Sequence, residues 1–410
     1  MMILMKAVAA LLFVLMTAAS ALAGDEFIVS YWYGPPPKFT SLDTYQRIKD
    51  AKFNVVFPPR ALDTTLTREQ NIQVLDICQQ LGLRAVVYDP RMPAAITGVA
   101  DAKSRIDAIV ADYGKHPALM AYFIVDEPTA GDFAKLGEVN AYLKERDPKH
   151  PGYINLFPTY AMPGAQLGTA TYEEYLRKYT DAVDPFVISF DHYPFINGYD
   201  RPDFFQNLRD VRNAAITSKR PFWNIQQCVK HFDYRALTEP EFRFQAMQTL
   251  AFGGRGMLWY TYWYPGEPNP TVQHAMIKYD GSPDEPYAWI KAVNADARAI
   301  GDELSGCESW AVIESSPAGF PVPKDCPIHV DALLLTTGIF KSKGGQWRAL
   351  VTNRDYRKAV RAGLHIDPVG VTVERLDAST KKWSAIETDK PRIVLDLPAG
   401  DGVLLKWKVK

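Results

Sequence analysis

Cysteine is scarce in this chain: four residues in 410, at positions 78, 228, 307 and 326. None of their spacings matches a zinc-binding set, and they are too few for a disulfide-stapled scaffold. Charge of one sign is equally lacking. Lys and Arg number 46 and Asp and Glu 47, a formal net charge of −1, and losing Lys6 with the first 23 residues would take it to −2. That leaves no basic surplus to neutralise a phosphate backbone, which argues against nucleic acid as a partner. No Gly-rich phosphate loop follows a strand-like run, and beyond the N-terminus no stretch is apolar enough to span a bilayer. Neither a metal nor a cofactor is expected.

What remains is a globular composition, 47% hydrophobic, 12% aromatic and 23% charged, in a chain long enough for two domains. Residues 1–23 read as a secretory signal peptide. Lys6 supplies the positive start, Ala7 to Ala19 the apolar segment, and Ala21-Leu22-Ala23 the small-x-small cleavage pattern. The expectation is export, to the periplasm or beyond, with no membrane attachment after cleavage at Gly24. Cys307 and Cys326 flank a Pro- and Ser-rich stretch where a disulfide would clamp an irregular connection, and that bond is expected in an oxidising compartment. Cys78 and Cys228 lie in apolar runs and read as buried thiols.

From Phe27 to about Leu304 short apolar runs alternate with amphipathic stretches. The runs are FIVSYWYG, FNVVFPP, LRAVVYDPR, LMAYFIVDEP, GYINLFPTY, FVISFDHYPF, PFWNIQQCV and GMLWYTYWYP. Continuous apolar runs are what parallel strands buried on both faces require. Eight of them with intervening helices predict a (β/α)8 TIM barrel over residues 24–305. After Gly301 the runs become short, often alternating and divided by turn residues, which predicts a C-terminal antiparallel β-sandwich over 306–410. The linker is expected between Gly301 and Pro323.

Active sites of such barrels form where the strands end at their C-terminal face. Read together, those ends supply Trp32 and Tyr33; Pro58 and Arg60; Asp89 and Arg91; Asp126 and Glu127; Asn155 and Tyr160; Asp191, His192 and Tyr193; Gln226 and Gln227; and the aromatic run through Trp259, Tyr260, Tyr262, Trp263 and Tyr264. Aromatic faces cover the C–H faces of sugar rings while carboxylates and amides bind hydroxyls, so a glycan or glycoside is the expected ligand. Trp32, Tyr33, Asp89, Arg91, Asp126, His192, Tyr193, Gln226, Gln227, Trp259 and Trp263 are the candidate binding residues. Asp89 and Arg91 also suit a simple ion bridge, and His192 a packing role. Strand alternation counted from Trp263 would turn Trp259 inward and Tyr260 and Tyr262 outward.

Residues 106–128, IDAIVADYGKHPALMAYFIVDEP, resemble the helix–turn–strand of clan A glycoside hydrolases, whose fourth strand ends Asn-Glu-Pro. Residues 287–304, YAWIKAVNADARAIGDEL, resemble the helix after the eighth strand in bacterial β-galactosidase-type members. The resemblance implies that Glu127 is the general acid/base and that Trp263 is the aromatic residue beneath the sugar. Two positions depart from the family. Asp126 stands where the clan has Asn, and Gln226-Gln227 end the seventh strand, where the clan has its nucleophilic Glu. Asp191 is therefore the candidate second carboxylate, with Asp89 and Glu267 behind it, and strands four and six being non-adjacent suggests a wide, inverting separation. The missing nucleophile leaves two alternatives open: a non-catalytic glycan-binding barrel, and a hexosaminidase-like enzyme that uses the substrate's own acetamido group.

Overall fold

The computed structural model describes residues 26–58, 66–92, 101–266, 268–315, 322–331, 334–367, 371–386 and 392–408. The expected signal peptide, Arg60 and Glu267 lie outside them. Eight parallel strands form one sheet: β1 (Ile28–Trp32), β2 (Val55–Val56), β3 (Arg84–Tyr88), β4 (Leu119–Asp126), β5 (Gly152–Leu156), β6 (Ile188–His192), β7 (Phe222–Gln227) and β8 (Gly256–Tyr260). Their order is β1-β8-β7-β6-β5-β4-β3-β2. Across the remaining seam the Asn54 N–H donates to Val29 O at 3.1 Å and Ser30 Oγ to Val55 O at 2.9 Å, so the sheet closes into a barrel. Each of the eight apolar runs of the sequence contributes one strand.

Among the described residues eight α-helices surround it: α1 (Leu42–Asp50), α2 (Arg68–Leu81), α3 (Ala102–Tyr113), α4 (Phe133–Arg146), α5 (Tyr172–Val183), α6 (Phe204–Ser218), α7 (Glu239–Ala251) and α8 (Pro286–Leu304). Local chemistry marks their ends. Thr67 and Gln70 form a reciprocal capping box at the start of α2, and Gly82 closes it with φ 67°. α7 differs from the rest because its residues are buried almost all round, from Glu241 to Ala251. A helix with no polar face must be covered on both sides, and α7 lies between the barrel and the C-terminal sheets.

Those sheets comprise β9 (Cys307–Ser315), β10 (Ile328–Val330), β11 (Leu335–Ser342), β12 (Trp347–Asn353), β13 (Val360–Ile366), β14 (Val373–Asp377), β15 (Lys382–Ala385), β16 (Arg392–Leu397) and β17 (Gly402–Trp407). A six-stranded sheet runs β9-β11-β12-β17-β14-β15 and a three-stranded one β10-β13-β16, the antiparallel sandwich the sequence predicts. The run HVDALLLTTGIF divides into two strands in different sheets, and KWSA adds a strand the pattern did not announce. The junction is shorter than expected, since α8 passes through Gly301 and only Ser305 and Gly306 precede β9. Close approach at this interface depends on Gly338, where a Cβ would stand 2.1 Å from the Ala251 carbonyl oxygen of α7.

All four cysteines are free thiols, which corrects the expected Cys307–Cys326 disulfide. Cys307 Sγ accepts from Arg348 at 3.4 Å on the barrel side of the six-stranded sheet, and Cys326 Sγ bonds Ile328 O at 3.1 Å within the separate core between the two sheets. The two thiols belong to different hydrophobic clusters, so proximity in sequence does not become proximity in space.

Candidate active site

The site is built at the C-terminal ends of β4, β5 and β6. A bulge at Ile124 shifts the register of β4 on β5, so that Asp126 comes to lie beside Asn155. Neighbours on a strand face opposite ways, yet Asp126 and the next residue both reach the mouth. Glu127 leaves the strand in the left-handed conformation, φ 46°, with its N–H held by Asn155 O at 2.9 Å. A glutamate rarely adopts that conformation, and such backbone outliers cluster at functional sites.

Asn155 fixes two of the three acids. Its Nδ2 donates to Asp126 Oδ1 at 3.1 Å and to Asp191 Oδ1 at 2.9 Å, while its Oδ1 accepts from Ser189 Oγ at 3.1 Å. Glu127 completes the cluster by hydrogen bonding to Asp191. The electrostatics follow from this crowding. Burial lifts Asp126 to about 6, against the pull of Asn155. Burial and then the Asp126 charge lift Glu127 to about 7, with its hydrogen bond to Asp191 acting the other way. Asp191, only 4% exposed, is raised by burial and next by Glu127 and Asp126. Three carboxyl groups buried this near one another cannot all ionise near neutrality, so protons are shared among them.

Tyrosines wall the cluster. Tyr260 at the end of β8 lies 5.9 Å from Tyr33 and 5.1 Å from Tyr193, and Tyr193 lies 5.1 Å from Tyr234, ring centre to ring centre. Burial raises the hydroxyl pKa of Tyr160, Tyr193, Tyr234 and Tyr260, and the Asp191 charge pushes each further. Arg201 covers the Tyr160 ring at 4.0 Å and donates to Tyr193 O at 3.1 Å. Among the described residues no group of three or more His, Cys, Asp and Glu side chains is arranged to hold a metal ion.

Glu127, Asp126, Asp191, Tyr33 and Tyr193 thus meet at one mouth; several other candidates do not. Gln227 is engaged by the protein itself: its Oε1 accepts from Phe195 N at 2.9 Å and its Nε2 donates to Phe195 O at 2.8 Å. Gln226 points outward to α7, donating to Gln245 O and Thr249 Oγ1. Both amides clamp the fold rather than face a ligand. His192 also points outward, its Nδ1 2.9 Å from Asn207 Oδ1 of α6; burial lowers its pKa to about 3, so it carries no charge toward Asp191. Asp89 and Arg91 form the ion bridge, extended to Asp112 of α3 and Tyr113.

At Trp259 and Tyr260 the alternation is the reverse of the expected one, whereas Tyr262 lies outward as expected, stacked on Tyr31 at 4.7 Å. Trp259 packs outward, its Nε1 donating to Asn294 Oδ1 of α8 at 2.8 Å with Phe242 edge-on, and Tyr260 takes the inward place. Trp263 is shut in against Phe39 at 4.7 Å, and Trp32 packs deeper in the lumen between Phe57 and Phe123. Tyr234 was missed: it sits in the polar sequence HFDYR after β7, where nothing distinguishes a wall residue from a loop residue.

No family model matches the chain, and no curated protein matches it in sequence. Solved structures do match in fold. A catalytic mutant of a GH42 β-galactosidase from G. stearothermophilus aligns with a TM-score of 0.62 and 10% identity over 94% of this chain and 99% of its own. A glycoside hydrolase aligns at 0.59 and 11% over 93% and 92%. A glycoside hydrolase of family 5 from Bacteroides vulgatus aligns at 0.57 and 12% over 93% and 89%. At such identities the likeness establishes a barrel followed by a smaller β-domain.

Proposed function

We propose that this chain is an exported glycoside hydrolase acting on a glycan or glycoside, with Glu127 as general acid/base and Asp191 as the second carboxylate. The observation that carries the reading is the hydrogen-bonded pair itself: a glutamate raised to about 7, held on a strained strand end against a buried aspartate beneath a tyrosine wall. The coupled pair holds a shared proton near neutrality, and through Glu127 that proton can be delivered to the glycosidic oxygen as the C–O bond breaks, leaving Asp191 ionised. Asp191, once ionised, either bonds to the anomeric carbon, forming an ester that water then cleaves while Glu127 takes that water's proton, or takes the proton of a water that attacks directly, after which Glu127 is reprotonated from solvent. The fold likeness to glycoside hydrolases supports this by analogy only.

A second reading draws on one further observation. Asp126 stands directly before Glu127 at the end of β4, and β7 ends in Gln226 and Gln227 and offers no carboxylate. A substrate carrying a 2-acetamido group would supply its own nucleophilic oxygen, with Asp191 or Asp126 orienting the amide. Wild type, Glu127→Gln and Asp191→Asn assayed on aryl glycosides with and without the 2-acetamido group separate these possibilities. Glu127→Gln is expected to lose at least about a thousandfold in kcat. Asp191→Asn should lose kcat, not only KM. Turnover restricted to 2-acetamido substrates selects the second reading. Glycan binding by wild type without any turnover would make the chain a binding protein, and equal turnover by Glu127→Gln removes the mechanism.

A further inference from the structure

Phe232 is 79% exposed, the most exposed large apolar side chain among the described residues. Its backbone is left-handed, φ 54°, a conformation that costs a phenylalanine free energy and persists where the surroundings impose it. The surroundings here are firm. Asn197 N–H donates to Asp233 O at 2.9 Å, Arg235 N–H to Phe195 O at 3.2 Å, and Ile196 pairs with Tyr234. Thus the loop carrying Phe232 is laced to the short hairpin of Phe195–Ile196 and Tyr199–Asp200, which Gln227 holds from below. On the far side Tyr356 of the sandwich bonds Asp200 and packs edge-on against Phe195 at 5.3 Å. The ring stands in water on a braced base.

Its position relative to the acids is the second observation. The His231 ring covers one side of Phe232 at 3.7 Å, and Tyr234 lies edge-on at 6.3 Å. From Tyr234 the rings continue to Tyr193 and to Tyr260 at 5.1 Å per step. Those three tyrosines are among the ones that feel Asp191. A continuous line of rings therefore runs from above the carboxylates to the rim, each step comparable to the breadth of one sugar ring, and its last member is open to solvent.

We propose that Phe232 is a stacking platform for a sugar unit bound away from the scissile bond, so that the substrate is an oligosaccharide or polysaccharide of pyranose units and not a small glycoside. This rests on the glycosidase reading and names its substrate class. Aromatic rings gain most when they cover an apolar face, and an exposed ring at the end of such a line has its face free for one.

The probe is Glu127→Gln, titrated calorimetrically with dimers and hexamers of the cello-, xylo-, manno-, galacto- and chito-oligosaccharide series. At least one hexamer is expected to bind about tenfold more tightly than its dimer, a gain of about 1.4 kcal/mol. Adding Phe232→Ala should erase that gain, and Phe232→Trp, which keeps a ring, should retain it. In the otherwise wild-type enzyme, Phe232→Ala should raise KM for the same hexamer about tenfold more than KM for the aryl monoglycoside, with kcat moving by less than about twofold. Hexamers and dimers that bind alike in every series overturn the platform, as does a hexamer that the Phe232→Ala form binds as tightly as its parent. Hexamers that wild type binds through Phe232 but never cuts would leave the platform standing and remove the glycosidase.

Discussion

Glu127→Gln should make the protein more stable at alkaline pH while abolishing turnover. The carboxyl of Glu127 ionises at about 7 in the fold, against 4.5 for an ordinary glutamate. Between those values the folded chain binds a proton that the unfolded chain has released, so stability falls as pH rises through the interval. The penalty is absent below about 4.5 and complete above about 7. At about 1.4 kcal/mol per tenfold change in proton affinity, the rise corresponds to about 3 kcal/mol. The mouth is only partly closed to solvent, and screening there reduces the figure to about 1–2 kcal/mol. Glutamine removes the titration and keeps a donor for Asp191. The expected signature is a melting temperature for Glu127→Gln that matches wild type at pH 4.5 and exceeds it by roughly 2–6 °C at pH 8. Thermal unfolding followed by circular dichroism across that range measures it. A difference that does not change with pH, or a variant less stable than wild type at pH 8, would refute the crowded-carboxyl account.

Asp126→Asn removes the charge that, after burial, does most to raise Glu127. The alkaline limb of the kcat/KM profile, set in wild type near 7, is expected to move to lower pH in this variant, and an unmoved limb would show that Asp126 does not act on the acid. Gln227→Ala should cost about 2–4 kcal/mol, since it strands both the N–H and the C=O of Phe195, and chemical denaturation will read that loss. Gln227→Glu, despite restoring the residue type of the clan, is expected to destabilise likewise and to leave a rate below wild type, because its carboxylate would face the Phe195 carbonyl. Thiol titration in denaturant without reductant should find four reactive groups per chain, matching four free cysteines; a count of two would reinstate the disulfide.

The barrel was legible because parallel strands buried on both faces leave unbroken apolar runs, and Glu127 and Asp191 were legible because strand ends in such a fold converge. What escaped depends on contacts far along the chain. An amide pairs equally well with a sugar hydroxyl and a peptide group, so the fate of Gln227 was decided by Phe195, 32 residues away. Alternation failed at β8 because the strand stops at Tyr260, and counting parity back from Trp263 crosses residues that are no longer extended. The carboxyl contact depended on the Ile124 bulge and the left-handed Glu127, neither of which leaves a mark in residue type. The cysteine pair failed because spacing along the chain says nothing of which hydrophobic cluster each thiol joins.

Tyr356 and Arg357 reach from the C-terminal strands to Asp200, and Gln248 of α7 donates to Thr352 Oγ1 at 3.0 Å. The trailing sheets are thereby a strut beneath one lip of the barrel mouth. A barrel severed at residue 305 would keep its acids but lose the post that steadies the lip, so the two halves of this chain are not interchangeable parts. Lengthening or trimming the Phe195–Asp200 hairpin would have to be matched by change around Tyr356, which ties the shape of the opening to a sheet that supplies none of the clustered acids.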